Sequence, residues 1–97
     1  MASYVVLINF TQQGIQTIKS ARARADAVRQ SIRTGGGDMK SLYYTMGQYD
    51  AVAIIEAPDD ETMSRLLLSA GTTGNIRTQT LRAFKDEEFF KIVAKLP

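Results

Sequence analysis

Residues 4–10 form an apolar run rich in β-branched side chains, broken only by Asn9, and the run predicts a strand. Ile15, Ile18, Ala21, Ala25, Val28 and Ile32 then recur every three or four positions, the apolar stripe of an amphipathic helix. That helix is expected to end near Thr34, where Gly35, Gly36 and Gly37 supply a left-handed cap and a flexible exit. Gly14 interrupts the stripe near its start and leaves room for a separate short first helix. Residues 39–46 and 49–57 read as two strands joined in a hairpin about Gly47-Gln48. Pro58 ends the second of them, because proline cannot donate to a ladder. Asp59, Asp60 and Glu61 suit the positive end of a helix dipole, and Met63, Leu66, Leu67 and Ala70 give that helix its buried face. Residues 75–84 read as a fourth strand, and residues 86–95 as a last helix, acidic at its start and basic at its end.

The order β-α-β-β-α-β plus a terminal helix predicts an α+β, ferredoxin-like domain spanning residues 1–97. Its four-stranded antiparallel sheet would carry the two main helices on one face. The other face should then be polar, giving strands that alternate. They do not alternate: Val5 to Ile8 and Ala51 to Ile55 are apolar without interruption. The second face must therefore be covered. The expected cover is a second copy packed sheet to sheet, a two-fold pair being the commonest closed arrangement. The other solution is that the terminal helix, led by Phe89, Phe90 and Val93, folds back over its own sheet.

Composition narrows the chemistry. The chain has no histidine and no cysteine, which removes the usual neutral-pH base, the thiol nucleophile and the soft metal ligands. No metal site and no cofactor are expected. A net charge of +2 does not by itself imply a polyanionic partner. The basic first helix, with Lys19, Arg22, Arg24, Arg29 and Arg33, reads as a solvated face. Sheet-borne aromatic platforms of the kind RNA-binding domains use are missing from the third strand. No stretch reaches the roughly 20 apolar residues of a membrane span, and the N-terminus lacks a signal-peptide pattern, so cytoplasmic residence is expected.

The remaining candidates are polar residues on or beside strands. Tyr49 and Asp50 stand where the hairpin enters its second strand. They suit either acid-base or ligand-orienting work, or a turn in which Asp50 binds backbone N–H groups. Arg77 and Arg82 are separated by an odd number and so face opposite sides of the fourth strand. One of them, with Asn9, Tyr44, Thr78 and Thr80, is placed to line a pocket between sheets or, equally, a solvated surface. Glu56 reads as solvated or as capping the following helix. The glycines at 35–37 run from helix into strand, the wrong polarity for a phosphate loop.

The run Gly47-Gln48-Tyr49-Asp50, followed by Val52-Ala53-Ile54-Ile55-Glu56-Ala57-Pro58-Asp59-Asp60, resembles the signature of the GYD domain family. Residues 74–84 and Phe10-Thr11-Gln12-Gln13-Gly14-Ile15 are similar as well, so the resemblance covers nearly the whole chain. The proline-containing break of that family has no counterpart at Ser20-Ala21-Arg22. The resemblance implies a dimeric α+β barrel, two sheets facing each other around a cavity. The resemblance implies little about function; the leading expectation, from the polar strand residues, is small-molecule binding at a homo-oligomer interface. The alternatives are a cofactor-independent enzyme using Asp50, Tyr44 and Arg77, and a structural or protein-interaction subunit with no ligand.

Overall fold

A computed structural model describes every residue from Met1 to Pro97. The strands are β1 (Ala2–Phe10), β2 (Asp38–Tyr44), β3 (Ala51–Ala57) and β4 (Ile76–Ala83). They form one sheet in the order β2-β3-β1-β4, every pairing antiparallel. The helices are α1 (Gln12–Gln16), α2 (Ala21–Thr34), α3 (Asp60–Gly71) and α4 (Asp86–Ala94). This is the ferredoxin-like α+β arrangement, with β1 and β3 in the centre and a terminal helix added. No helix is long and apolar enough to cross a membrane.

Register decides what each strand shows to each side. Tyr4, Val6 and Ile8 of β1 stand opposite Ile55, Ala53 and Ala51 of β3, and this set faces the helices. Tyr4, Val6, Ala53, Ile55 and Ala57 pack there with Ile32 of α2 and with Met63 and Leu66 of α3 to form the core. Val5 and Leu7, opposite Ile54 and Val52, face the other way. No helix of the chain covers that open face, and its apolar centre is completed by Leu81 from β4 and Tyr43 from β2. A β-bulge at Lys40 shifts the β2–β3 register and lets Met39 and Leu42 both join the helix side.

The predicted first helix is two helices. Thr11 caps α1 by accepting from the Gly14 N–H at 3.1 Å. Thr17 then ends it: its hydroxyl donates to the Gln13 carbonyl at 2.9 Å, while the Ser20 hydroxyl donates to the Thr17 carbonyl at 2.8 Å. These side chains compete for the carbonyls a continuous helix would use, and a 3-10 turn over Ile18–Ser20 results. The chain thus breaks without the family's proline. Ile15 and Ile18 accordingly stay half exposed, and only the later part of the stripe packs inward.

The hairpin is wider than the sequence predicts, running from Thr45 to Asp50 between strand ends at Tyr44 and Ala51. Thr45 closes it by donating from its N–H to the Asp50 carbonyl at 2.9 Å and from its hydroxyl to the Tyr49 carbonyl at 2.6 Å. Gly47, with φ of +101°, takes the left-handed position that a side chain would resist.

α4 covers nothing in its own chain. None of its residues is buried, and Phe89 and Phe90 are 51% and 62% exposed. The radius of gyration, 14.7 Å, exceeds the value of about 13 Å expected for a compact chain of this size. The alternative in which this helix closes its own sheet is therefore not the one adopted.

Candidate functional site

The six residues singled out from the sequence do not converge. Asn9 and Arg77 are cross-strand partners on the open face. Tyr49 reaches across that face, its hydroxyl donating to Gln79 Oε1 at 3.0 Å. The Asn9 amide donates to the Gln48 carbonyl at 2.9 Å, so hairpin and strand ends are tied into one polar cluster. Gln79 was not among the sequence candidates. Nothing in its local pattern distinguishes it from other polar strand residues, and only the register with Leu7 places it here.

Tyr44 and Thr78 belong to the opposite side, a correction to the pocket expected between sheets. Thr78 pairs with Ile8 and Tyr44 with Ala51, both helix-facing positions, and the period of two carries the side chains there. Thr80, paired with Val6, follows them, and its hydroxyl is buried without a hydrogen-bond partner. Tyr44 stacks on Phe10, with ring centroids 6.4 Å apart. The two arginines do divide between the faces. Arg82 lies over the Tyr4 and Phe84 rings on the helix side.

Asp50 is occupied by the backbone. Its Oδ2 accepts from the Phe10 N–H at 2.9 Å, and its own N–H donates to the Ile8 carbonyl at 2.9 Å. The carboxylate thus terminates the β1–β3 ladder. Glu56 is neither freely solvated nor a helix cap. It sits on the open face between Lys40 at 3.8 Å and Lys85 at 3.2 Å. Lys40 also reaches Asp38 at 2.9 Å, and this pairing, followed by the charge of Glu56, raises the Lys40 ammonium above its ordinary value.

The best-formed hollow lies inside the subunit, between α2, α3 and the sheet, with a volume of about 330 Å³. Small side chains make it: Ala21, Ala25 and Ser31 of α2 and Ala70 of α3 stand where larger residues would close the helices onto the sheet. Its floor is Ile8, Met39, Leu42 and Ala51, and Arg24, Thr73 and Asn75 are among the polar groups at its edge. Arg24 is held there by donating to the Thr17 hydroxyl at 2.8 Å and the Gly14 carbonyl at 3.1 Å, with its guanidinium over Phe10. A second, more open depression of about 680 Å³ lies on the other flank of α2, lined by Ile15, Ile18 and Tyr44 and rimmed by Arg22 and Arg29. No group of three or more carboxylates is gathered in a way that would hold a metal ion.

Comparison with known proteins agrees with this geometry. A family model of the GYD domain matches residues 4–93. A glutamine synthetase and cystathionine beta-lyase binding protein from Thermus thermophilus is 32% identical over 84 residues, 86% of this chain and 88% of its own. Among solved structures, a feast or famine regulatory protein from M. tuberculosis, in complex with L-methionine, superposes with a TM-score of 0.66 at 20% identity. The match covers 88% of this chain but 51% of that one, so this chain spans about half the regulator's length and shares its fold alone. A protein of known structure from Thermus thermophilus superposes with a TM-score of 0.56 at 24% identity, covering 88% of this chain and 95% of the other. The hairpin motif, the sheet order and the family match over most of the chain agree: the chain belongs to the GYD domain family.

Proposed function

We propose that the chain is a small-molecule-binding module that works as a homodimer, sheet face to sheet face, with its ligand in the cavity between α2, α3 and the sheet. The observation that carries this reading is the cavity itself. Its 330 Å³ lies within the range of ligand pockets, and its walls are mostly apolar with a few polar groups at one edge. A ligand that covers these apolar walls removes them from water and so stabilises the fold. The ligand class is a small, largely apolar molecule with one polar end directed at Thr73, Asn75 or Arg24. A regulator of similar fold was solved in complex with L-methionine, which supports small-ligand binding as a use of this architecture.

A second reading, a ligand held between the two sheets, is favoured by the cluster of Asn9, Tyr49, Gln79 and Arg77 on the open face. An enzyme using Asp50, Tyr44 and Arg77 together has less support, because Tyr44 and Arg77 lie on opposite faces and Asp50 is engaged by the backbone. The Thermus relative carries the name of a protein that binds two enzymes, which supports protein association as a further role for the module.

Titration with the fluorescent probe 1-anilinonaphthalene-8-sulfonate separates the two ligand sites. Ala70→Leu, which fills the cavity, is expected to weaken probe binding at least tenfold with an unchanged circular-dichroism spectrum, while Gln79→Leu leaves it unaltered. The reverse pattern moves the site to the interface. Equal binding by wild type and both variants removes the ligand reading.

A further inference from the structure

Arg24 is the one charged residue on the lining of the cavity between α2, α3 and the sheet. Its guanidinium offers only N–H donors and no acceptor. Two of those donors are engaged by neutral oxygens, the Thr17 hydroxyl at 2.8 Å and the Gly14 carbonyl at 3.1 Å. No carboxylate pairs with it, so its charge stands unbalanced at the edge of an apolar space. Asn75 belongs to the same edge, because Gly14, which holds Arg24 by its carbonyl, lies against the Asn75 backbone. The Asn75 Oδ1 accepts from the Gln13 side-chain amide at 3.0 Å, which leaves the N–H groups of Asn75 Nδ2 without a partner. The Thr73 hydroxyl donates its proton to the Ala70 carbonyl at 2.8 Å. Serine and tyrosine hydroxyls elsewhere on the lining turn either way and favour no head group. The unengaged capacity of this edge is therefore donors and one positive charge.

We infer that the ligand of this cavity is a small monocarboxylate with an apolar tail, its head against Arg24 and Asn75 Nδ2 and its tail over Ile8, Leu42 and Ala51. This rests on the reading of the cavity as the ligand site, and it names the head group that the site selects. An ionised carboxylate has only acceptors, and its bond to a guanidinium is of the strong, charge-assisted kind. One arginine balances one negative charge, whereas a phosphate monoester, carrying roughly two, would keep charge unmatched beside apolar walls. An amino acid fits poorly for the converse reason. No Asp or Glu lines the cavity to meet its ammonium group, so L-methionine, bound in the regulator of similar fold, would not be retained here. The lining follows α2 from Ala21 to Ile32, about 16 Å at 1.5 Å per residue, with Arg24 near one end. That leaves room for an extended tail beyond the head.

Isothermal titration calorimetry with octanoate, 1-octanol and octylamine at neutral pH varies the head on a constant tail. Octanoate is expected to bind at least tenfold tighter than 1-octanol, the usual contribution of a hydrogen bond to a charged group, with octylamine weakest and L-methionine giving no heat. Arg24→Gln brings octanoate down to the level of 1-octanol, whose own affinity it leaves unaltered, and Arg24→Lys keeps most of the preference. Should Arg24→Gln fold poorly, the comparison of heads on the wild type decides alone. Ala70→Leu, which fills the cavity, weakens octanoate and 1-octanol alike. Equal affinities of the wild type for octanoate and 1-octanol overturn the inference and leave the cavity as a site for neutral ligands. Undiminished octanoate binding by Ala70→Leu, or a preference that survives in Arg24→Gln, overturns it by placing the carboxylate elsewhere. Binding of none of the probes also overturns it, and the fluorescent probe then judges the cavity separately.

Discussion

Asp50 closes the hairpin that carries the family's signature, and the cost of losing it is that of a part-buried donor left unpaired. Its carboxylate is the acceptor for the Phe10 N–H, and its backbone ties Ile8 to Thr45. Asp50→Ala is expected to lower stability by about 1–3 kcal/mol in urea unfolding, and Asp50→Asn, which keeps an acceptor oxygen, by less than half of that. An unchanged midpoint for the alanine variant would return Asp50 to the list of residues free to meet a ligand. Tyr4 presents the opposite case, a titratable group held in its neutral form. Burial, then the hydrogen bond its hydroxyl donates to Asp60 at 2.5 Å, pushes its pKa up to about 12. In the unfolded chain a tyrosine ionises near pH 10, so the folded state holds this proton more tightly. The associated stability is fully present below about pH 10 and is lost as pH rises through about 12. Urea midpoints are expected to fall across that window in the wild type, and less steeply in Tyr4→Phe. Parallel curves for the two proteins would count against the assignment.

Elements were legible where periodicity is long and breaks are chemical. The order of strands and helices follows from the apolar spacing and from Pro58. The division of the first helix does not, because it depends on Thr17 and Ser20 hydroxyls choosing backbone carbonyls over solvent. Gly14 signalled the same break for a reason that only the tertiary structure reveals. A Cβ built on it would stand 2.1 Å from the Asn75 carbonyl oxygen, the same oxygen that accepts from the Thr11 N–H at 3.0 Å. The glycine allows α1 to lie against the entry to β4. Gly14→Ala must push two backbones apart and is expected to cost about 1–3 kcal/mol, the usual range for overpacking. Gly71→Ala, with open space around it, should be neutral or stabilising by up to about 1 kcal/mol. Chemical unfolding of the two variants side by side reads the contrast, and similar midpoints would remove the close approach as the reason for glycine at position 14. The candidate site was less legible for a related cause. Residue types on a strand are visible in the sequence, but Tyr44 and Thr78 could be assigned to a face only once register fixed their partners as Ala51 and Ile8.

At the scale of the whole molecule, the uninterrupted apolar runs in β1 and β3 serve two surfaces at once. One is the core beneath α2 and α3. The other, built from Val5, Leu7, Val52, Ile54 and Leu81, has no cover within the chain, since α4 stands away from it. A lone subunit would leave this contiguous apolar patch facing water, and such patches mark interaction sites. Pairing two such faces should bury roughly 2,000 Å² in total, the lower bound for an obligate dimer. The period of two makes the test sharp, because neighbouring residues of β3 answer to different surfaces. Ala53 is 1% exposed in the core, so Ala53→Glu should unfold the protein at any concentration. Ile54 lies on the open face opposite Val5. Ile54→Glu should leave circular dichroism unchanged at low concentration while shifting sedimentation equilibrium at micromolar protein from a dimer mass to a monomer mass. A wild type that sediments as a clean, folded monomer would sink the dimer, and would require the open face to meet water with its apolar centre bare.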